Sequence, residues 1–77
     1  MRSLAVIARE IYNDWGSKIN FAAKPYLVAM LQLDKITDKY YYDSGDSIVL
    51  YFLCNASTWR GETARRIKKE LNEMLKK

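Results

Sequence analysis

Tyr40-Tyr41-Tyr42-Asp43-Ser44-Gly45-Asp46-Ser47-Ile48-Val49-Leu50-Tyr51-Phe52-Leu53-Cys54, residues 40–54, supports two architectures. Tyr, Ile, Val and Phe favour strands, and an Asp-Ser-Gly-Asp loop would fold the run into a β-hairpin, giving an α+β protein. Alternatively Asp43 caps a helix from about Ser44 to Ala56, with Asp46 in the first turn answering the positive end of the helix dipole. In that helix Ile48, Tyr51, Phe52 and Asn55 share a face. Val49, Leu53 and Ala56 flank it, so the helix is apolar nearly all round and belongs at the centre of a small bundle. A lone hairpin still needs something to pack on. The segments on either side read as helices, which favours the helical reading.

Upstream, Ser3 is an N-cap candidate. Leu4, Ile7, Ala8, Ile11 and Trp15 recur at spacings of three and four, which places them on one face. Gly16 tolerates the left-handed backbone that ends a helix. After a connection with a turn near Asn20, Pro25 fits the first turn of a second helix, where its missing N–H costs nothing. Leu27, Met30 and Leu31 make its apolar stripe, and it ends near Leu33. Between the second helix and the ambiguous run, Ile36 can anchor a short turn and Asp38 can cap another. Tyr40-Tyr41-Tyr42 cannot share one face in any regular structure, so at least one ring is expected to be exposed.

Downstream, Ser57 or Thr58 caps a final helix. Its core positions Ala64, Ile67, Leu71, Met74 and Leu75 keep the helical period to the end of the chain. Glu62–Arg66 and Glu73–Lys77 are i,i+4 pairs on its surface. Lys76 and Lys77 sit where the dipole favours cations. Gly61 inside this helix calls for a compensating reason, such as a close helix crossing or a partner's approach. The expected fold is therefore all-α: a compact bundle of about four helices in one domain spanning residues 1–77, with the α+β hairpin at 40–54 as the alternative.

The chain has 77 residues, 49% of them hydrophobic and 29% charged, a balance that suits a globular domain and argues against disorder. At this length a folding free energy of roughly 4–12 kcal/mol is expected. Cys54 is the one cysteine, which rules out an intramolecular disulfide and points to a reducing compartment, the cytoplasm. It lies in an apolar run and reads as a small core residue rather than a reactive thiol. The apolar start Leu4-Ala5-Val6-Ile7-Ala8 is too short for a signal peptide and is broken by Arg9-Glu10. No run approaches the roughly 20 apolar residues that span a bilayer.

There is no histidine, so the commonest general base and metal ligand at neutral pH is missing. Neither a Ser-His nor a Cys-His nucleophile can form, and no structural zinc site can be built. Gly16, Gly45 and Gly61 lie too far apart for a phosphate-cradling loop. Asp43 and Asp46 lack the spacing of a calcium loop and read as cap and turn residues. No catalytic residue, metal or cofactor is expected. An enzyme here would need Tyr, Lys or Asp chemistry in a pocket that so short a chain can hardly enclose.

Binding candidates remain. Six Tyr, two Trp and two Phe exceed what a minimal core needs, which leaves rings for a partner surface or a homodimer. Trp59 is either a core anchor or a contact residue. Arg60 beside it can stack on a ring or grip an anion. Residues 1–59 balance six basic against six acidic side chains, so the whole net charge of +4 falls on residues 60–77. Arg65, Lys68, Lys69 and Lys76 line one side of the last helix with Asn72 between them, and Arg66 lies on a mixed-sign stripe beside them. That face is either solvated or a contact for acidic protein or nucleic acid.

The chain also resembles a group of short proteins encoded by phages, prophages and integrative elements of Gram-positive bacteria. The resemblance is carried by Ile7-Ala8-Arg9-Glu10-Ile11 with Asp14-Trp15, by Phe21-Ala22-Ala23-Lys24-Pro25-Tyr26-Leu27 with Ala29-Met30, and by Tyr42 through Leu53. Asn55-Ala56, Thr58-Trp59-Arg60-Gly61-Glu62, Ala64-Arg65-Arg66-Ile67-Lys68 and Glu70-Leu71 continue it. It implies a genetic setting and no functional residues. By analogy, proteins of such elements often bind a host factor, defence systems included. The leading expectation is a non-enzymatic binder that modulates a host protein or defence complex, an anti-CRISPR-like inhibitor for instance. Trp59, Arg60, Tyr40 and Tyr41 are its contact candidates. The alternative is a nucleic-acid or nucleotide-binding module using Arg60, Arg65, Arg66, Lys68 and Lys69.

Overall fold

The computed structural model describes residues 2–76. Helix α1 runs from Leu4 to Trp15, α2 from Lys24 to Met30, α3 from Gly45 to Cys54 and α4 from Glu62 to Lys76. Strands β1 (Lys39–Tyr40) and β2 (Asp43–Ser44) pair antiparallel just before α3, with Lys39 opposite Ser44 and Tyr40 opposite Asp43. The result is a small, mostly α bundle carrying a two-stranded ribbon.

Both readings of the ambiguous run hold in part. Its apolar half is a helix, because ten residues that would leave a strand unpaired satisfy their own backbone as α3. Its polar-aromatic half is a hairpin, but the loop is Tyr41-Tyr42 rather than Asp-Ser-Gly-Asp. The N-cap of α3 is Ser44, one residue later than Asp43. The Ser44 hydroxyl donates to Asp46 Oδ1, which also accepts from the Ser47 amide at 2.7 Å.

At the first helix the reading of the sequence is reproduced residue by residue. Ser3 Oγ accepts from the Val6 amide at 3.2 Å, Gly16 terminates the helix, and Leu4, Ile7, Ala8, Ile11 and Trp15 are buried. In α2, Pro25 sits in the first turn, Leu27, Ala29 and Met30 face inward, and Ala23 is buried at the N-cap just before the helix. Asn20 shapes the preceding turn by accepting from the Ala22 amide and donating to the Asn55 carbonyl at the end of α3.

The helices form a ring: α1 packs on α2 and α4, and α3 packs on the same two. No helix is therefore surrounded, which corrects the expectation for α3. Ile48, Val49 and Phe52 are buried, but Leu50 and Tyr51 are half-exposed. Cys54 is exposed, not core: it lies two residues past Phe52, about 200° round the helix from the buried face. Tyr51 rests against Tyr26 of α2, ring centroids 5.8 Å apart.

The start of α4 also differs from expectation. Neither Ser57 nor Thr58 caps it; the helix begins at Glu62, and the Gly61 carbonyl accepts from the Arg65 amide at 3.0 Å. Gly61 is thus outside the helix, at φ 119°, a conformation few L-residues adopt. A side chain there would meet nothing within 4 Å, so backbone geometry and not a close crossing explains the glycine. Ala64, Ile67, Leu71 and Met74 are buried as their spacing predicts. Of the two surface pairs, Glu73–Lys77 lies outside the described residues. Arg66 pairs instead with Glu10 of α1, so the contact is tertiary rather than helical.

Candidate functional site

Trp59 is a core residue. It is 2% exposed, stacks on Trp15 with centroids 5.6 Å apart, and meets the edge of Phe52 at 6.3 Å. Its indole N–H donates to Asp14 Oδ2 at 2.8 Å, which satisfies the one polar atom the ring carries. This corrects Trp59 as a contact residue: a ring buried among three helices has no face left for a partner.

Lys68 is likewise not a free surface cation. Its ammonium donates to the Ala56 carbonyl at 2.7 Å and the Trp59 carbonyl at 2.6 Å, and lies 5.8 Å from the centre of the Trp59 ring. The lysine ties the end of the α3–α4 connection to the middle of α4. Burial, and then the nearby Arg60 charge, push its pKa below the usual lysine range.

Arg66 is committed as well. Arg2 donates to Glu70 through Nε at 3.1 Å and Nη2 at 2.7 Å, and to Glu10 at 2.6 Å; Arg66 donates to the other oxygen of Glu10. Arg66, Glu10, Arg2 and Glu70 thus make a continuous chain of ion pairs that joins α1 to α4. Arg2, and then Arg66, hold the Glu10 carboxyl below its ordinary range. Of the basic candidates, Arg60, Arg65 and Lys69 are exposed and take no part in a salt bridge among the described residues. Arg60 and Arg65 line, with Lys68, a cavity of about 300 Å³ beside Gly61.

The tyrosine run divides cleanly. Tyr40 is half-buried and packs on the core, while Tyr41 is 81% and Tyr42 fully exposed. The two exposed rings form the whole loop of the hairpin. Tyr41 takes φ 59° and Tyr42 does not have positive φ, the sign pattern of a turn that prefers glycine at its first position. Placing a tyrosine there costs on the order of 1–2 kcal/mol. The Tyr41 ring meets Tyr40 edge-on at 4.7 Å, which recovers part of that.

Below the loop the base of the hairpin is braced by hydrogen bonds. Asp38 Oδ2 accepts from the Lys35 amide at 2.9 Å and the Asp34 amide at 3.1 Å, closing the turn that buries Ile36. Those two N–H groups, Lys35 first, hold the Asp38 carboxyl below its ordinary range. The Asp38 carbonyl in turn accepts from the Gly45 amide at 2.7 Å, which locks the hairpin to the start of α3.

Of the contact candidates read from the sequence, then, Arg60 and Tyr41 are exposed, Tyr40 is a support for Tyr41, and Trp59 is interior. Tyr42 is the residue that reading missed. The signal for it was the three-tyrosine run itself, which must expose a ring but does not say which.

Among the described residues no helix is long and apolar enough to cross a membrane, and no group of three His, Cys, Asp or Glu side chains could hold a metal ion. No family model, curated protein or solved structure matches this chain.

Proposed function

We propose that this chain is a non-enzymatic binding protein of a phage or other mobile element, and that it modulates a host protein or protein complex by docking the Tyr41–Tyr42 hairpin tip. One observation carries the reading: two adjacent, fully presented tyrosines occupy a two-residue turn whose backbone favours glycine at the position held by Tyr41. Local stability does not select that residue, so a role outside the fold is the simplest reason for it. Tyrosine supplies large contact area with few rotatable bonds and a hydroxyl for the rim, the chemistry of a recognition anchor. Hydrogen bonds at Asp38 and Gly45 hold the base of the tip in place, which lowers the ordering cost of binding. The genetic setting rests on the resemblance to short phage and integrative-element proteins, and an anti-defence role is the form of host modulation that setting favours.

The test is affinity capture from lysate of a Gram-positive host with the wild-type chain and with Tyr42→Ala. The reading expects one stoichiometric host protein that the variant, folded as judged by circular dichroism, fails to retain. Equal recovery by both proteins would remove the hairpin tip from the proposal.

A further inference from the structure

We propose that the concave surface between the Trp59–Gly61 turn and the first two turns of α4 binds a phosphate group, held by Arg60, Arg65 and Lys68. This goes beyond the hairpin reading and is independent of it, because the contributing residues lie on different elements.

The cavity holds about 300 Å³ and is lined by Trp59, Arg60, Gly61, Ala64, Arg65 and Lys68. Three of those six residues are cationic and none is a carboxylate. Two other arginines are paired, Arg2 with Glu10 and Glu70 and Arg66 with Glu10. Arg60 and Arg65 have no such partner among the described residues, so their charges stand uncompensated at one hollow.

Lys68 is the built part of the site. An ammonium has three donors. Two are fixed on the carbonyls of Ala56 and Trp59, at 2.7 and 2.6 Å. One donor of the three has no partner among the described residues, and the residue lines the cavity. Binding to a cation held in place beforehand avoids most of the ordering cost that a free lysine imposes. Burial first, and then repulsion from the nearby Arg60 charge, lower the lysine's proton affinity. A di-anion placed between them converts that repulsion into two attractions. The guanidiniums of Arg60 and Arg65 bring the forked donors that match phosphate oxygens.

The same geometry defines what is not read. Trp59 is the one ring at the cavity, and at 2% exposure it offers no face on which a base could stack. Recognition is therefore of the phosphate and not of a nucleobase. A free phosphate or pyrophosphate and the backbone of a nucleic acid present the same chemistry, and the experiment separates them.

The 77-residue chain, labelled with nitrogen-15, is titrated with inorganic phosphate, with pyrophosphate and with a single-stranded oligothymidylate in low salt, about 50 mM. Amide shifts should saturate around residues 59–65, and Arg60→Gln and Arg65→Gln should each weaken binding about tenfold. Both side chains are exposed, so these variants keep the fold; Arg9→Gln, on the surface of α1, should bind as wild type. If pyrophosphate binds and the oligomer does not, the ligand is a small phosphate. If the oligomer binds more tightly, with affinity falling steeply with salt, the ligand is a nucleic-acid backbone. No saturable shift at residues 59–65 with any of the three, or shifts unaltered by Arg60→Gln and Arg65→Gln, would overturn the proposal.

Discussion

The carbonyl oxygen of Ile36 lies 2.6 Å from the point where a Cβ on Gly45 would stand. That approach lets the turn at residues 34–38 close over the first residue of α3, and it fixes the hairpin between them. Helix propensity alone would make Gly45→Ala stabilising. The contact reverses the sign, since the obstacle is backbone and cannot rotate away. Gly45→Ala should cost about 1–3 kcal/mol, read as a lower urea midpoint with an unchanged slope. A variant at least as stable as wild type would mean that the close approach does not constrain the fold.

Trp59 and Asp14 make a second stability prediction. Removing the indole with Trp59→Ala empties the centre of the Trp15–Phe52–Trp59 cluster and should cost about 3–5 kcal/mol, much of the stability a chain this size can hold. Asp14→Ala leaves the indole N–H without its acceptor and should cost about 1–3 kcal/mol. Thermal unfolding of the two variants should rank them in that order.

Tyr42 separates function from stability. Its ring is fully exposed, so Tyr42→Ala should leave unfolding within about 0.5 kcal/mol of wild type. As a central anchor it should carry about 2 kcal/mol or more of partner binding, a loss near thirtyfold. Calorimetry of the variant with the captured partner checks the second number.

The pH dependence follows from the direction of each shift. Glu10, Asp38 and Asp46 have folded pKa values below their free ones, Asp46 chiefly through the Ser44 hydroxyl and then the Ser47 amide. Their contribution is complete above the ordinary carboxylate range, about pH 4, and disappears as pH falls through the depressed values. Lys68 is a base with a lowered pKa, so the folded state releases its proton first and stability rises with pH between that value and the ordinary lysine range. Urea midpoints across pH should therefore fall on the acid side and climb on the alkaline side. Glu10→Gln should flatten the acid limb by about 1 kcal/mol or less, as suits a partly exposed network.

What the sequence discloses follows from the range of the interactions. Helix α1 is set by contacts within four residues, and its cap, its buried face and its stop are all legible. The buried positions of α4 follow from the same periodicity. Its start is not legible, because Gly61 reads as a costly helix residue until its φ is known. The period of α3 places Cys54 opposite Phe52, but that this far face is exposed depends on a ring arrangement that leaves α3 open on one side.

The functional side chains divide in the same way. Arg66 and Lys68 look like surface charge because the spacing of one helix reveals only that helix. Their partners, Glu10 and the carbonyls of Ala56 and Trp59, are brought to them by the fold. Trp59 is ambiguous in sequence and interior in structure because Trp15 of α1 and Phe52 of α3 converge on it. The tyrosine run announces exposure, and only the hairpin register assigns it to Tyr41 and Tyr42.

Site-specific photocrosslinking in host cells tests the proposed mode of action most directly, with a photoreactive phenylalanine analogue placed at Tyr42 and, separately, at exposed Lys24 of α2. The account predicts a single covalent adduct to one host protein from position 42 and none from position 24. No adduct from position 42, or the same adduct from both positions, would contradict it.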